Sequence, residues 1–253
     1  MKYDLIFDPP LMNAAGSLGF APALHGPLDL ACLGAFITNP VSLAARTPAQ
    51  SLRCLPYPGG FLLHTGYPNP GLSTVIRQNA SRWARSPRPV IVHLLCQDAD
   101  ELAYMVQRLE GLAGVAGVEL GLPPGADAPL ACTLVQAASG ELPVILRLPF
   151  ENAVELASAL AAALPSTAVS LAPPRGALVA QSGALLHGRL YGPAIFPLAL
   201  EKLQAVARSG LPVIAAGGIY QPGQVEIMHR AGALAVQLDA VLWRGGWPAP
   251  TAG

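Results

Sequence analysis

Apolar residues recur along this chain in two alternating rhythms. Short, nearly continuous apolar runs are followed by stretches with apolar positions three and four residues apart, the pattern of a buried strand and then an amphipathic helix. The runs predict eight strands: Leu11–Ala14, Ala35–Thr38, Val90–Leu95, Gly117–Leu120, Val144–Leu148, Ala168–Leu171, Val213–Ala216 and Ala235–Leu238. Between them, Ala99–Leu112, Asn152–Leu164, Pro197–Ser209 and Pro222–Ala231 predict helices, with Asp98 and Gln221 placed as caps or turn residues.

Strands that are apolar on both faces belong in a parallel sheet covered by helices. Eight strand–helix units fit the α/β class and a closed (β/α)8 (TIM) barrel over residues 1–253. An open dinucleotide-binding sheet fits less well, because no Gly-x-Gly-x-x-Gly follows the first strand and there is no P-loop. The end is irregular. After Leu238 only VLWRGGWPAPTAG remains, too rich in Gly and Pro for a full closing helix. The final outer helix is expected to be reduced or missing, with Trp243 and Trp247 covering that flank or meeting a second copy in a homo-oligomer.

Composition narrows the partners. Fifteen basic and fifteen acidic residues give zero formal charge, and only 12% of the chain is charged. That balance favours neither nucleic acid nor an anionic membrane. The uncharged stretch Leu156–Pro174 is interrupted by Pro165, Pro173 and Pro174 and carries Ser158, Ser166, Thr167 and Ser170, so it predicts helix, turn and strand rather than a membrane span. The opening MKYDLIFDPP lacks the apolar core of a signal peptide, and a soluble, cytoplasmic protein is expected. Cys32, Cys54, Cys96 and Cys132 show no metal-type spacing.

Barrel active sites lie at the carboxyl ends of the strands. The positions to weigh are therefore Gly16, Thr38-Asn39, Cys96, Gly121, Arg147, Ala172, Gly217-Gly218 and Asp239. Cys96 ends its strand and is either a relocated nucleophile or a buried structural thiol. His93, three residues earlier, falls on the opposite strand face and is not placed to activate it. Arg147 follows a buried strand, so it either binds an anionic ligand or pairs internally with Asp239 or Glu119.

Seven segments occur in an order that resembles the dihydroorotate dehydrogenase family, class 1-like. They are MNAAGSLGF (12–20), LGAFITNPVSLAARTP (33–48), PGGFLLHTGYPNPG (58–71), LPVILRLP (142–149), GRLYGPAIFPLAL (188–200), LPVIAAGGI (211–219) and AGALAVQLDAVL (231–242). The resemblance implies a barrel that binds FMN and oxidises dihydroorotate to orotate in pyrimidine biosynthesis. It puts Ala14, Ala15, Gly16, Asn39, Arg147, Gly192, Gly217, Gly218, Asp239 and Ala240 against the cofactor. It puts Leu63, His64, Thr65, Gly66, Tyr67 and Asn69 against the substrate.

The chain departs from that pattern where chemistry is done. A pocket lysine of the family is replaced by Asn39 and a second by Arg147; Lys2 and Lys202 are the chain's only lysines. Asn39 cannot neutralise charge on a reduced flavin. The loop that carries the family's proton-abstracting residue is ELGLPPGADAP, with Pro123 and Pro124 at the base position, and proline accepts no proton. Leu63 and Ala172 or Pro173 stand where pocket asparagines are expected. The phosphate-binding Gly-Thr becomes Asp239-Ala240. A carboxylate about 4 Å from a phosphate charge costs about 4 kcal/mol at an effective dielectric near 20, unless Arg189 or Arg244 offsets it. Asp239 either salt-bridges an arginine and closes the site or binds a cation. His64 and Tyr67 are either new polar contacts or rings that fill lost space, while His25, His187 and His229 carry no functional expectation.

Three readings follow: a flavoprotein acting on another substrate, a non-catalytic relative that binds a small ligand or a partner protein, or a dihydroorotate dehydrogenase with unusual residues. The departures favour the first two.

Overall fold

A computed structural model describes residues 6–23, 26, 28–50, 54–95, 98–164, 167–244 and 247. Its strands in chain order are β1 (Leu11–Asn13), β2 (Phe36–Ile37), β3 (Cys54–Tyr57), β4 (Gly60–Leu63), β5 (Val90–Leu95), β6 (Val115–Gly121), β7 (Val144–Leu148), β8 (Ala168–Leu171), β9 (Arg175–Val179), β10 (Leu185–Tyr191), β11 (Val213–Ala216) and β12 (Ala233–Leu238). The helices are α1 (Leu72–Ala84), α2 (Ala99–Gln107), α3 (Ala128–Ala137), α4 (Ala153–Ala163), α5 (Phe196–Ala207) and α6 (Pro222–Arg230).

Eight of the strands form one parallel sheet in the order β1-β12-β11-β8-β7-β6-β5-β2. A bridge between Met12 and Ala35 joins its two ends, which nearly closes the barrel. All eight predicted barrel strands are present, with ends shifted by two residues at most. The four predicted helices are present too, α2 being shorter than expected because its last turn relaxes after Gln107. Asp98 caps α2 by accepting the Glu101 N–H at 2.8 Å. At the start of α6, Gln224 Oε1 accepts the Gln221 N–H at 3.0 Å.

Three elements were not anticipated. Helix α1 buries Leu72, Val75, Asn79 and Trp83, and polar Asn79 on that face obscures the apolar spacing. Helix α3 begins at the Asp127 cap, whose side chain accepts the Leu130 N–H at 2.9 Å. Strands β3, β4, β10 and β9 form a separate antiparallel sheet in that order. Its β9 and β10 are polar or exposed along much of their length, so no apolar run announces them.

The barrel interior follows the two-residue period of each strand. Met12, Ala35, Ile37, Ile91, Ile145, Ala168, Ile214 and Ala235 fill the inside as one apolar cluster. A larger cluster lies between the sheet and its helices. Counting two residues onward from the inner cluster gives Ala14, Asn39, His93, Arg147, Ser170, Ala216 and Gln237. The next inward layer is therefore largely polar, and it sits at the carboxyl ends of the strands.

The closing helix is reduced, as expected: Ala240–Arg244 make a single short 3-10 segment. Trp247 is buried and takes the flank. Trp243 is 44% exposed, and its indole N–H donates to the Ser17 carbonyl at 2.9 Å. No described helix is long and apolar enough to cross a membrane.

Candidate functional site

The polar layer is organised around one carboxylate. Glu119 on β6 is fully buried. Its Oε1 accepts Ser170 Oγ and Gln237 Nε2, each at 2.7 Å. Its Oε2 lies 2.6 Å from His93 Nδ1 and 3.9 Å from Arg147 Nη1. Strand register makes this arrangement: His93 pairs with Glu119 across β5 and β6, and Arg147 pairs with Ser170 across β7 and β8. Burial alone would raise the Glu119 proton affinity, but the His93 hydrogen bond, the Arg147 charge and the Ser170 hydrogen bond outweigh it and hold the carboxyl at about 2. Glu119 is therefore an anion. His93 is pushed below its ordinary value by burial, against the pull of Glu119, so the ring is neutral at neutral pH. Both directions agree on a neutral imidazole giving its Nδ1 proton to an anionic carboxylate.

Above this layer opens a cavity of about 370 Å³. His93, Gly121, Arg147 and Ala172 form its floor, Ser42, Tyr67, Pro123 and Pro124 its walls, and Arg46, Arg175 and Arg189 its cationic rim, opposed by Asp98 and Glu101. Arg147 is only 7% exposed, and its Nε has no hydrogen-bond partner among the described residues. An unmade hydrogen bond of that kind costs about 1–3 kcal/mol. Arg189 stacks over the Tyr67 ring at 5.6 Å and donates to the Pro173 carbonyl at 3.4 Å. Tyr67 holds a left-handed backbone, φ 53°, in the loop after β4.

The residues expected against the substrate are only partly gathered. Tyr67 lines the cavity, as do both prolines at the base position. Asn69 is consumed within its own loop: Oδ1 accepts Ser42 and Gly71 N–H groups at 3.2 and 3.1 Å, and Nδ2 donates to Ser42 Oγ and the Tyr67 carbonyl. Thr65 Oγ1 accepts the Tyr67 N–H, and the Gly66 carbonyl accepts Arg46 Nε. Leu63 is paired in the small sheet with Cys54 and Arg189, and His64 is exposed.

The phosphate-binding half of the expected cofactor site is occupied by the protein itself. Asp239, on the inward rail of β12, is 4% exposed. Its carboxylate accepts the Ala240 N–H at 2.5 Å. Burial raises its proton affinity, to about 6, while the N–H groups of Ala240 and Gly218 pull the other way. These are the backbone donors that the family pattern offers to phosphate. The expected salt bridge from Asp239 to an arginine is not made among the described residues; the backbone supplies the compensation instead. Gly217 and Gly218 keep left-handed backbones, φ 115° and 70°. At Gly218 a side chain would sit 2.3 Å from the Phe196 nitrogen, and at Gly192 one would sit 2.4 Å from the Gly59 carbonyl, so backbone packing explains both glycines without a ligand.

Elsewhere at the expected flavin seat, Asn39 is already engaged. Its Oδ1 accepts the Gly19 N–H at 3.1 Å and its own N–H donates to the Gly19 carbonyl at 2.7 Å. Gly16 turns the chain after β1 with φ 92°, next to Ala14 and Ala15. Beside that turn, Trp243 stacks into a cluster with Phe61 and Tyr191, with ring centroids 5.6–5.8 Å apart. The residues present therefore do not fit FMN in the manner the family pattern requires. Cys96, His25 and the Arg244 side chain lie outside the described residues.

Two site residues escaped the sequence reading. His93 was considered only as a partner for Cys96, and Glu119 only as a partner for Arg147. Counting by twos from the inner apolar cluster along β5 and β6 would have put both side chains inside the barrel.

Comparison with known proteins gives consistent likenesses. The family model described as dihydroorotate dehydrogenase matches residues 3–128. The chain is 32% identical over 254 residues to a "Dihydroorotate dehydrogenase B (NAD(+)), catalytic subunit" from Citrifermentans bemidjiense, covering 90% of this chain and 82% of that protein. A protein of the same description from Desulforudis audaxviator is 31% identical, with 90% and 80% covered. Among solved structures, the Eimeria tenella DHODH in complex with ferulenol superposes with a TM-score of 0.71 at 16% identity, over 96% of this chain and 78% of that one, a likeness of fold.

Proposed function

The chain belongs to the dihydroorotate dehydrogenase family, and from that premise we propose that it binds a small organic anion at the barrel mouth without FMN-coupled oxidation of dihydroorotate. Arg147 carries this reading. It is a buried guanidinium with an unpartnered Nε, facing a cavity whose rim holds three more arginines. A carboxylate in that cavity would satisfy the orphan donor and complete a charge-assisted hydrogen bond. The loss of oxidation follows from two local replacements. Pro123 and Pro124 leave the family's base position without a proton acceptor, and Asp239 occupies the phosphate donors of Gly218 and Ala240.

The freshly purified protein is expected to be colourless. It should show no dihydroorotate turnover with quinone, fumarate or NAD as acceptor. Flavin absorbance bands together with turnover that Arg147→Ala abolishes would overturn the reading. Binding is read separately by calorimetry with dihydroorotate, pyruvate and 2-oxoglutarate. At least one should bind wild type and be lost in Arg147→Ala.

A further inference from the structure

We propose that His93 is the proton acceptor of this site, acting on a small carboxylate that carries a C–H bond next to a carbonyl group. This rests on the anion reading above and adds a chemical step to it.

The geometry is that of an oriented base. Glu119 fixes the ring by taking the Nδ1 proton at 2.6 Å, and Glu119 is itself held by Ser170 and Gln237. With Nδ1 protonated, the neutral ring presents the lone pair of Nε2. His93 lines the cavity, and Nε2 has no hydrogen-bond partner among the described residues. Room for this edge of the ring comes from Gly121, where a side-chain carbon would sit 2.7 Å from Nε2. The base lies on β5, across the cavity floor from Pro123 and Pro124, so it is not the family's base moved along its own loop.

The step balances without an oxidant. The proton on the carbon next to the carbonyl passes to Nε2. The C–H electron pair becomes the enolate double bond, and the carbonyl oxygen gains the negative charge. Arg147 faces that charge, and the imidazolium is stabilised by the Glu119 carboxylate. Return of a proton from Nε2 to carbon restores the ligand, and in D2O it returns as deuterium. The charged groups around His93 are Glu119 from β6, Arg147 from β7 and Arg189 from β10.

Dihydroorotate, pyruvate and 2-oxoglutarate are incubated with the protein in D2O and followed by proton NMR, with binding measured in parallel by calorimetry. A probe that binds should lose its C–H signal about 10²-fold faster than in buffer, the low end for a positioned base. His93→Gln should return the rate to that of buffer while the probe still binds. Gly121→Ala, with a backbone conformation open to alanine, should do the same by displacing the ring. His93→Gly should be rescued by added imidazole, which a merely structural histidine would not allow. The wild-type rate should rise with pH and level off below the ordinary histidine range, because only the neutral ring accepts a proton. Binding without exchange, or exchange that survives in His93→Gln, would overturn the proposal and leave the anion reading intact. Failure of all three probes to bind would remove both.

Discussion

Asp239 decides the cofactor question, and its effect can be worked out. An FMN phosphate seated on the Gly218 and Ala240 N–H groups would meet a carboxylate already bound there. Leaving both ionised costs about 4 kcal/mol at about 4 Å and an effective dielectric near 20. Protonating Asp239 first is cheaper. With a proton affinity near 6, that costs about 2 kcal/mol at about pH 7.5. The smaller cost governs, so the carboxylate weakens FMN by about 30-fold at that pH. The penalty should fade as pH drops to about 6. Asp239→Gly should therefore bind FMN at least about 30-fold more tightly than wild type at about pH 7.5, with the gap closing in acid. Quenching of FMN fluorescence measures both affinities. The difference between the two proteins cancels the second ionisation of the phosphate itself, near pH 6. Riboflavin, which has no phosphate, should show no gap. Equal FMN affinity in wild type and variant across this range would refute the reasoning.

The same carboxylate burdens the fold. Its proton affinity is raised from 3.8 to about 6 on folding, so stability is greatest below 3.8 and is lost as pH rises through 6. The loss is about 3 kcal/mol at neutral pH, and Asp239→Asn should recover much of it in urea unfolding, with a smaller gain at about pH 5. Glu119 has the opposite sign: held down from 4.5 to about 2, it stabilises above 4.5 and loses that contribution as pH falls through 2. Glu119→Ala should cost about 3–5 kcal/mol, because it strands His93, Ser170, Gln237 and Arg147 in the barrel. Trp83→Ala should cost about 3–5 kcal/mol by emptying a fully buried site and removing the indole bond to the Phe20 carbonyl.

Much of the architecture was legible because barrel strands buried on both faces are short apolar runs with sharp ends. Val90–Leu95, Val144–Leu148, Ala168–Leu171 and Val213–Ala216 match the structure residue for residue. What failed to show in sequence had local physical causes. Strands β9 and β10 carry Arg175, His187 and Arg189 and are held by antiparallel pairing over the mouth, not by an apolar period. Helix α1 places Asn79 on its buried face, where Nδ2 bonds back to the Val75 carbonyl. At the site, the expected positions were read from strand ends and family spacing, which located Arg147, Tyr67 and Asp239. The His93–Glu119 pair lies one layer deeper, and apolar neighbours on both sides in VIVHLL and GVELG hide it as core.

The pattern of satisfied and unsatisfied groups separates a rebuilt site from a decayed one. Removing catalytic residues from a barrel mouth without replacement would leave buried polar atoms stranded at about 1–3 kcal/mol each. Here Glu119 has three hydrogen-bond partners and a nearby guanidinium, Asp239 has backbone donors, and Asn39 is paired with Gly19. On the polar layer the exceptions are Arg147 Nε and Gln237 Oε1. Gln237 already gives its amide to Glu119, and its spare oxygen lies beneath the cavity floor. Arg147 borders open space beside the free edge of His93. The one cation left short of a partner thus stands next to the one oriented base, and a carboxylate placed between them would serve both. That coincidence is why Arg147→Ala should abolish binding while His93→Gln abolishes only proton exchange, a division that general loosening of the mouth could not produce.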